Sequence, residues 1–450
     1  MDKSDARDRN AQTEAGMLSR LTTDALPVEY PQIKALRRHI EPLKLDVSGR
    51  FPKRINVLIG IIDFKYFFGG YISVFNLVKR LSREGYDMRA IVIDECTFLP
   101  VTWRDKLKDY EGLEDFFDYV EVVYAHDRDE SIECNEDDVF LATSWWSAYV
   151  ANAALERLRA KRFLYLTQDY EPIFYNMGPL YVLSRSSYDL PHCAIISTGI
   201  LKEHYLQNGI GVFKAGADEG ERRSVFFENA ILKFDVDAGA MRARKKKRFL
   251  FYARPEAHAA RNLFEIGMFA LSLAVERGYF DLDNWEFYGI GTIGGAQNIA
   301  ISDGVDLKLI SKVSLNEYRE LLPCFDAGMS LMLSPHPSLV PIEMCAAGMV
   351  VVTNTFANKT PERMKSISSN FAAAEPNVDA IALSLKEAAS RADDFDARIK
   401  GTKVNWSQSW DESFDARFIG KIKSFIDDIG RPASGASSSP AAAAGAVSPA

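Results

Sequence analysis

Five stretches of this 450-residue chain set chemically capable side chains among glycines, prolines or aromatics. RFLYLTQDYEPIFYNMGPLY ends an apolar run in Gln168, Asp169, Tyr170 and Glu171. Carboxylates accept hydrogen bonds from hydroxyls, and the rings of Tyr165, Tyr170 and Tyr175 can stack on sugar faces, so this stretch suits a carbohydrate. The plainer reading is that Asp169 caps the next turn. FLFYARPEAHAARNLFEIG carries Arg254 and Arg261, two cations able to hold a diphosphate, or else to pair with Glu256 or Glu265. FYGIGTIGG places Gly289 and Gly291 at a strand end, and LKLISKVSLNEYRELL follows with Lys312. Ser314 and Glu317 form a capping box that starts a helix just after Lys312. That lysine is either solvated or stands beside Arg254 to stabilise a leaving phosphate. FFGGYISVFNLVKRL puts Gly69 and Gly70 at a helix start, where backbone can approach a ligand closely or simply turn tightly. It is not the G-x-G-x-x-G dinucleotide fingerprint. Finally, SLMLSPHPSLVPIEMCAAGMVVVTN places a lone acid, Glu343, in the first turn of a helix of small residues, behind Ser-Pro-His-Pro-Ser.

The elements that must hold these groups alternate. INVLIGIID, MRAIVID, YVEVVYA, DVFLATS, RFLYLTQD and HCAIIST are apolar runs in the first half; RFLFYAR, WEFYGIG, VDLKLIS, AGMSLML and MVVVTN are their counterparts in the second. Such runs separated by helical segments predict parallel sheets covered on both faces. The alternation pauses between 214 and 247, a charged stretch of little periodicity, which predicts a domain boundary. The expected architecture is α/β, two doubly wound Rossmann-like domains facing each other across a cleft, with strand C-termini toward ligands. The expected division is a flexible 1–40, a first domain at 41–232, a second domain with a closing amphipathic helix at 233–430, and a low-complexity, disordered tail at 431–450. Trp406, Trp410, Phe414 and Phe418 fall on or near one face of the closing helix.

Composition narrows the class. A net charge of -8 gives no reason to expect nucleic acid. Five scattered cysteines without C-x-x-C spacing predict a reduced, cytoplasmic protein without structural zinc. The six histidines form no i, i+4 pair and do not cluster with the cysteines, so no metal is expected; no cofactor is expected either. The charged N-terminus lacks the apolar core of a signal peptide. DVFLATSWWSAYVANAAL is too interrupted for a membrane span and predicts a buried strand feeding a helix. The basic run RARKKKR is read as a solvated strand entry, with contact to an anionic surface, the inner face of the cytoplasmic membrane, as the alternative.

In order, FFGGYISVFNLVKRLSREGYDMRAIVID, FYARPEAHAARNLFE, YGIG, SKVSLNEYRELLPCFDAGMSLMLSP and PSLVPIEMCAAGMVVVTN resemble the GT-B glycosyltransferases, over roughly Asn56 to Phe425. The QDYEP and LMLSPHPS stretches are most similar to WsaF-type bacterial rhamnosyltransferases. The resemblance implies a hexosyltransferase that moves L-rhamnose from dTDP-β-L-rhamnose to a glycan or lipid-linked glycan acceptor in surface-polysaccharide, O-antigen or glycoprotein biosynthesis, without a metal. It implies that Glu343 binds a hydroxyl of the nucleotide sugar's ribose-type ring. It also implies donor contacts from Gly69, Gly70, Arg254, Arg261, Gly289, Gly291 and Lys312, and acceptor contacts from Asp169, Tyr170, Glu171 and Tyr175. Arg254 and Lys312 would stabilise the departing diphosphate, and Asp169 is the candidate base of an inverting reaction. Relatives in the wider retaining group carry a second glutamate eight residues before the first. Pro335 stands there, leaving His336 and Ser338 as candidates for sugar recognition. Two other classes fit the same architecture: a nucleotide-sugar epimerase and a non-catalytic glycan-binding module.

Overall fold

A computed structural model describes residues 29–64, 67, 69–291 and 297–430. The disordered tail expected at 431–450 and residues 1–28 of the expected flexible segment lie outside them. The described residues divide into two compact units, one before residue 42 and one from residue 42 onward. In the first, Pro31–His39 is helical although 1–40 reads as flexible. Pro31 stands where its missing N–H is no loss, and Arg37, Arg38 and His39 complement the helix C-terminus.

Among the described residues, the second unit holds two seven-stranded sheets and one two-stranded sheet. The first large sheet orders its strands Val120–Tyr124, Met88–Val92, Ile55–Ile59, Val139–Ala142, Phe163–Thr167, His192–Ser197 and Ser224–Phe227, all parallel. Ile55–Ile59, Met88–Val92, Phe163–Thr167 and His192–Ser197 are buried at every position, as expected of strands covered on both faces. The second orders Ile299–Ser302, Val305–Leu309, Trp285–Ile290, Lys247–Tyr252, Ala327–Met329, Val350–Asn354 and Phe371–Ala374. Each sheet starts with a central strand, grows to one side and then crosses to the other. The order reverses beside Ile55–Ile59 in the first and beside Lys247–Tyr252 in the second. In such sheets the crevice at the strand C-termini there is where ligands sit.

Several elements depart from the expected pattern. Ile299–Ser302 pairs antiparallel with Val305–Leu309 through a turn at Gly304, whose φ of 76° favours glycine. Leu45–Val47 pairs with Ile132–Cys134 in the small sheet. Ser224–Phe227 lies within the stretch read as aperiodic, yet it closes the edge of the first sheet; four residues are too few for a period to show. The expected closing helix is two pieces, Trp410–Ser413 and Ala416–Gly430. Although it follows the second sheet in sequence, Phe418, Ile419, Ile422, Phe425, Ile426 and Ile429 are buried in the core of the first. The chain therefore crosses between the sheets twice, after Phe227 and again before Trp410. The capping box at Ser314 forms as expected, with the Glu317 N–H donating to Ser314 Oγ at 3.2 Å and Glu317 Oε2 accepting from the Ser314 N–H at 2.7 Å. Among the described residues, no helix is long and apolar enough to cross a membrane, and no cluster of His, Cys, Asp and Glu is placed to hold a metal ion.

Candidate active site

The second sheet's reversal point leads into the loop Ser330–Leu339. Two prolines limit its φ angles and remove two donors, so side chains from neighbouring elements fix it. The Met332 N–H donates to Asn354 Oδ1 at 2.7 Å, and Asn354 Nδ2 returns a bond to the Met332 carbonyl at 3.1 Å. Lys359 Nζ reaches the same carbonyl at 2.7 Å. Further along, the His336 N–H donates to Ser334 Oγ at 3.0 Å and the Ser338 N–H to His336 Nδ1 at 3.0 Å. Ser338 is held at a φ of 66°, a left-handed conformation that serine adopts rarely. The loop delivers the chain into the short helix Val340–Ala346, with Pro341 in its first turn. Glu343 is partly buried there. Its Oε1 accepts from the Leu232 N–H at 3.3 Å and its Oε2 from the Tyr318 hydroxyl at 3.1 Å. Leu232 lies on the first crossing between the sheets, so Glu343 ties the helix to that crossing.

The first sheet meets this loop. Asp169 Oδ1 accepts from the Tyr170 N–H at 2.8 Å and from Ser334 Oγ, and Arg261 Nε stands 3.9 Å from Asp169 Oδ2. The Arg261 guanidinium also lies over the Phe174 ring at 4.1 Å. Ser197 Oγ is 3.5 Å from His336 Nε2. Gly69 opens the helix Gly69–Arg83, and a Cβ added there would stand 3.0 Å from the Leu339 side chain. Gly70 has its carbonyl bonded by Gln168 Nε2 at 3.0 Å. Asp169, Arg261, Ser334, His336 and Gly69 therefore converge where the two sheets touch.

Other expected site residues lie differently. Glu171 is buried within the first sheet's layer, and its Oε2 accepts from the Trp145 N–H at 3.0 Å. That bond satisfies an orphan donor in the first turn of the helix Trp145–Ala154. Tyr175 accepts from Trp145 Nε1 at 2.8 Å, and Tyr170 packs against Tyr188, His204 and Tyr205. Arg254 pairs with Glu256 at 3.0 Å, as its plainer reading expected, and also bonds Tyr252 and His258. Arg261 is in a 3-10 turn, Ala257–Asn262, ahead of the helix Phe264–Glu276, with Leu263 left-handed between them. A Cβ on Gly289 would stand 2.7 Å from Leu309, and one on Gly291 2.7 Å from Tyr252, so close packing accounts for both glycines. Lys312 is exposed on the loop before Leu315–Leu321.

Burial sets the protonation of the groups near the contact. It pushes the Glu171 carboxyl up to about 8 and Glu343 up to about 7. It brings His336 down to about 4 and Lys359 down to about 7, although Asp169 opposes both of these shifts. His336 is thus a neutral imidazole at pH 7. Its Nδ1 accepts from Ser338, which puts its proton on Nε2, toward Ser197. Lys359 is fully buried beside Asp169, and sequence reasoning passed over it. Its signal was positional, since it follows the C-terminus of Val350–Asn354 in a parallel sheet. Ser334, Phe174 and Tyr318 were also missed, because their partners are distant in sequence.

Known proteins resemble the chain in family and in fold. The model described as WsaF, N-terminal domain matches residues 54–198, and that described as WsaF, C-terminal domain matches 247–386. The O-antigen biosynthesis protein RfbC of Myxococcus xanthus is 31% identical over 265 residues, which cover 56% of this chain and 18% of that protein. The chain thus spans less than a fifth of that relative. The solved structure of Anabaena HepE with UDP and glucose is similar in fold, with a TM-score of 0.52 at 11% identity over 84% of this chain and 99% of HepE. HepE with UDP-glucose gives a TM-score of 0.51 over the same shares, at 11% identity. With both of its domain models matched over well more than half the sequence, the chain belongs to the WsaF family and has the GT-B glycosyltransferase fold.

Proposed function

We propose that the protein transfers L-rhamnose from a dTDP-sugar to a glycan or lipid-linked glycan acceptor, in the assembly of a bacterial surface polysaccharide such as an O-antigen. One observation carries the reading. Asp169, at a strand end of the first sheet, is bonded to Ser334 of the second sheet's loop and faces Arg261. An acid and the loop that leads to Glu343 thus occupy one place at the C-terminal ends of parallel strands from the two sheets, where ligands of such sheets bind. In this reading the second sheet's edge holds the nucleotide. Glu343 accepts from a ring hydroxyl, and Arg254 and Lys312 meet the diphosphate as charge develops on it. Arg261 fixes Asp169, which takes the proton of the attacking acceptor hydroxyl while the bond to the diphosphate breaks. His336, neutral, and Ser338 face the sugar. The acceptor approaches along the first sheet's edge past Tyr170 and Tyr175, with the buried Glu171 behind them. The chain works at the cytoplasmic face of the membrane that carries its acceptor.

Thermal-shift measurements with dTDP-L-rhamnose, dTDP, UDP-glucose, GDP-mannose and NAD test this reading, because a ligand that binds only the folded state raises the melting temperature. The dTDP compounds should raise it most. A larger rise with UDP-glucose, the compound bound in HepE, would redirect the donor assignment, and a largest rise with NAD would overturn the glycosyl-transfer reading.

A further inference from the structure

A groove of about 730 Å³ lies away from the Asp169–Ser334 contact, where both crossings between the sheets run past the helix Gly199–Gln207. Its volume falls in the range of about 300–1,000 Å³ usual for small-molecule sites. Phe226, 45% exposed, and Trp406 line it, and Trp406 is fixed by its indole N–H, which donates to the Asn229 carbonyl at 2.8 Å. Glu228 lies in the wall. Its Oε1 accepts from the Gly199 N–H at 3.0 Å, while its Oε2 is buried without a hydrogen-bond partner among the described residues. A buried acceptor left in this state is uncommon, and a ligand hydroxyl would satisfy it. Glu203 and Arg363 pair across the rim, and Lys202 stands over the Phe226 ring at 5.5 Å. The wall thus combines aromatic surface with carboxylate acceptors and fixed donors, the set that recognises a polyhydroxylated ring.

We propose that this groove is a saccharide site that holds acceptor glycan units away from the point of transfer, a proposal that rests on the glycosyl-transfer reading above. The groove is wired to the candidate site. Asn229, next to Glu228, accepts from Ser197 Oγ, and Ser197 in turn faces His336 Nε2 at 3.5 Å. Asn358, next to the buried Lys359, donates to the Ile200 carbonyl in the groove wall at 2.7 Å. Because the walls come from the first sheet's edge strand, from the helix Pro361–Ile367 between two strands of the second sheet and from both crossings, a bound chain of sugars contacts parts that belong to each half of the protein.

Saturation-transfer NMR on the full chain tests this with methyl-capped trisaccharides of rhamnose, mannose, glucose and N-acetylglucosamine. At least one should bind the wild-type chain. Phe226→Ala, a change at a half-exposed ring, should weaken that binding at least tenfold. Glu228→Gln keeps an acceptor for the Gly199 N–H and should weaken it several-fold. Binding that both variants leave unchanged would overturn the proposal, as would binding of spermidine in place of every trisaccharide, which would make the groove a cation site. Titration of the wild-type chain with dTDP and UDP separates the two levels. Nucleotide binding without trisaccharide binding overturns the groove alone, and absence of both sinks the glycosyl-transfer reading beneath it.

Discussion

The ligand-facing edges of the two sheets are built differently. On the first, the polar groups are already committed to protein partners: Gln168 to Gly70 and Ser73, Glu171 to Trp145, and Asp169 to Tyr170 and Ser334. On the second, Glu343 is likewise held, by Leu232 and Tyr318, but the cations differ: Arg254 makes a local cluster with Glu256, Tyr252 and His258, and Lys312 is exposed. Committed groups are oriented in advance and change little on binding. Exposed or locally paired cations can exchange partners for a diphosphate. On the proposed reading, the first edge does the positioning and the second captures the charged donor.

Substitutions on the two edges should therefore fail in different ways. The largest effect is expected for Arg254→Ala. Removing a group that stabilises developing charge costs about 10²–10³ in turnover, and here nucleotide affinity should fall as well; kinetics with the stabilising donor and a dTDP titration check both. Asp169→Asn should lower turnover by about 10² as the proton acceptor is lost, with nucleotide affinity little changed. Equal losses of affinity in the two variants would erase the distinction between the edges.

Glu171→Gln sharpens the comparison through pH. The folded carboxyl is pushed up to about 8 from an ordinary 4.5, so the folded state keeps its proton across that window. Its contribution to stability is complete below the ordinary value and is lost as pH rises through the folded one. A glutamine cannot ionise, so the variant should lose less stability than the wild type between pH 5 and 8.5. Melting curves across that range check this, and superimposable pH profiles would mean that Glu171 is not held protonated.

Much of the fold was legible because long apolar runs between helices carry a strong pattern. Ile55–Ile59 and Val350–Asn354 follow directly from it. Short edge strands such as Ser224–Phe227 did not, since their place is set by a neighbour to pair with. At the site, Asp169, Arg261 and Glu343 could be picked out by residue type and position at element ends. What the sequence could not convey was direction. Glu171 and Asp169 are neighbours in the same loop, yet one turns inward to a helix N-terminus and the other meets the opposite sheet. Lys359 was passed over because its place after a strand end does not by itself signal a buried cation, and its surroundings come from Met332 and Asp169.

The claim that the second edge captures the nucleotide is tested most directly at Glu343. In Glu343→Gln the side-chain carbonyl can still accept from the Leu232 N–H, and the Tyr318 hydroxyl can rotate to accept from the new amide. The local bonds therefore survive while the charge-assisted acceptor is removed. Hydrogen bonds to charged groups contribute roughly 1.5–3 kcal/mol, which corresponds to a loss of affinity of about tenfold or more. Calorimetric titration of dTDP against both proteins at pH 8.5, above the value of about 7 to which burial pushes the Glu343 carboxyl, should show that loss, and unfolding without ligand should show no large loss of stability in the variant. Equal affinity for dTDP together with a large loss of stability in the variant would contradict the account, and would make Glu343 a structural tie between its helix and the crossing at Leu232.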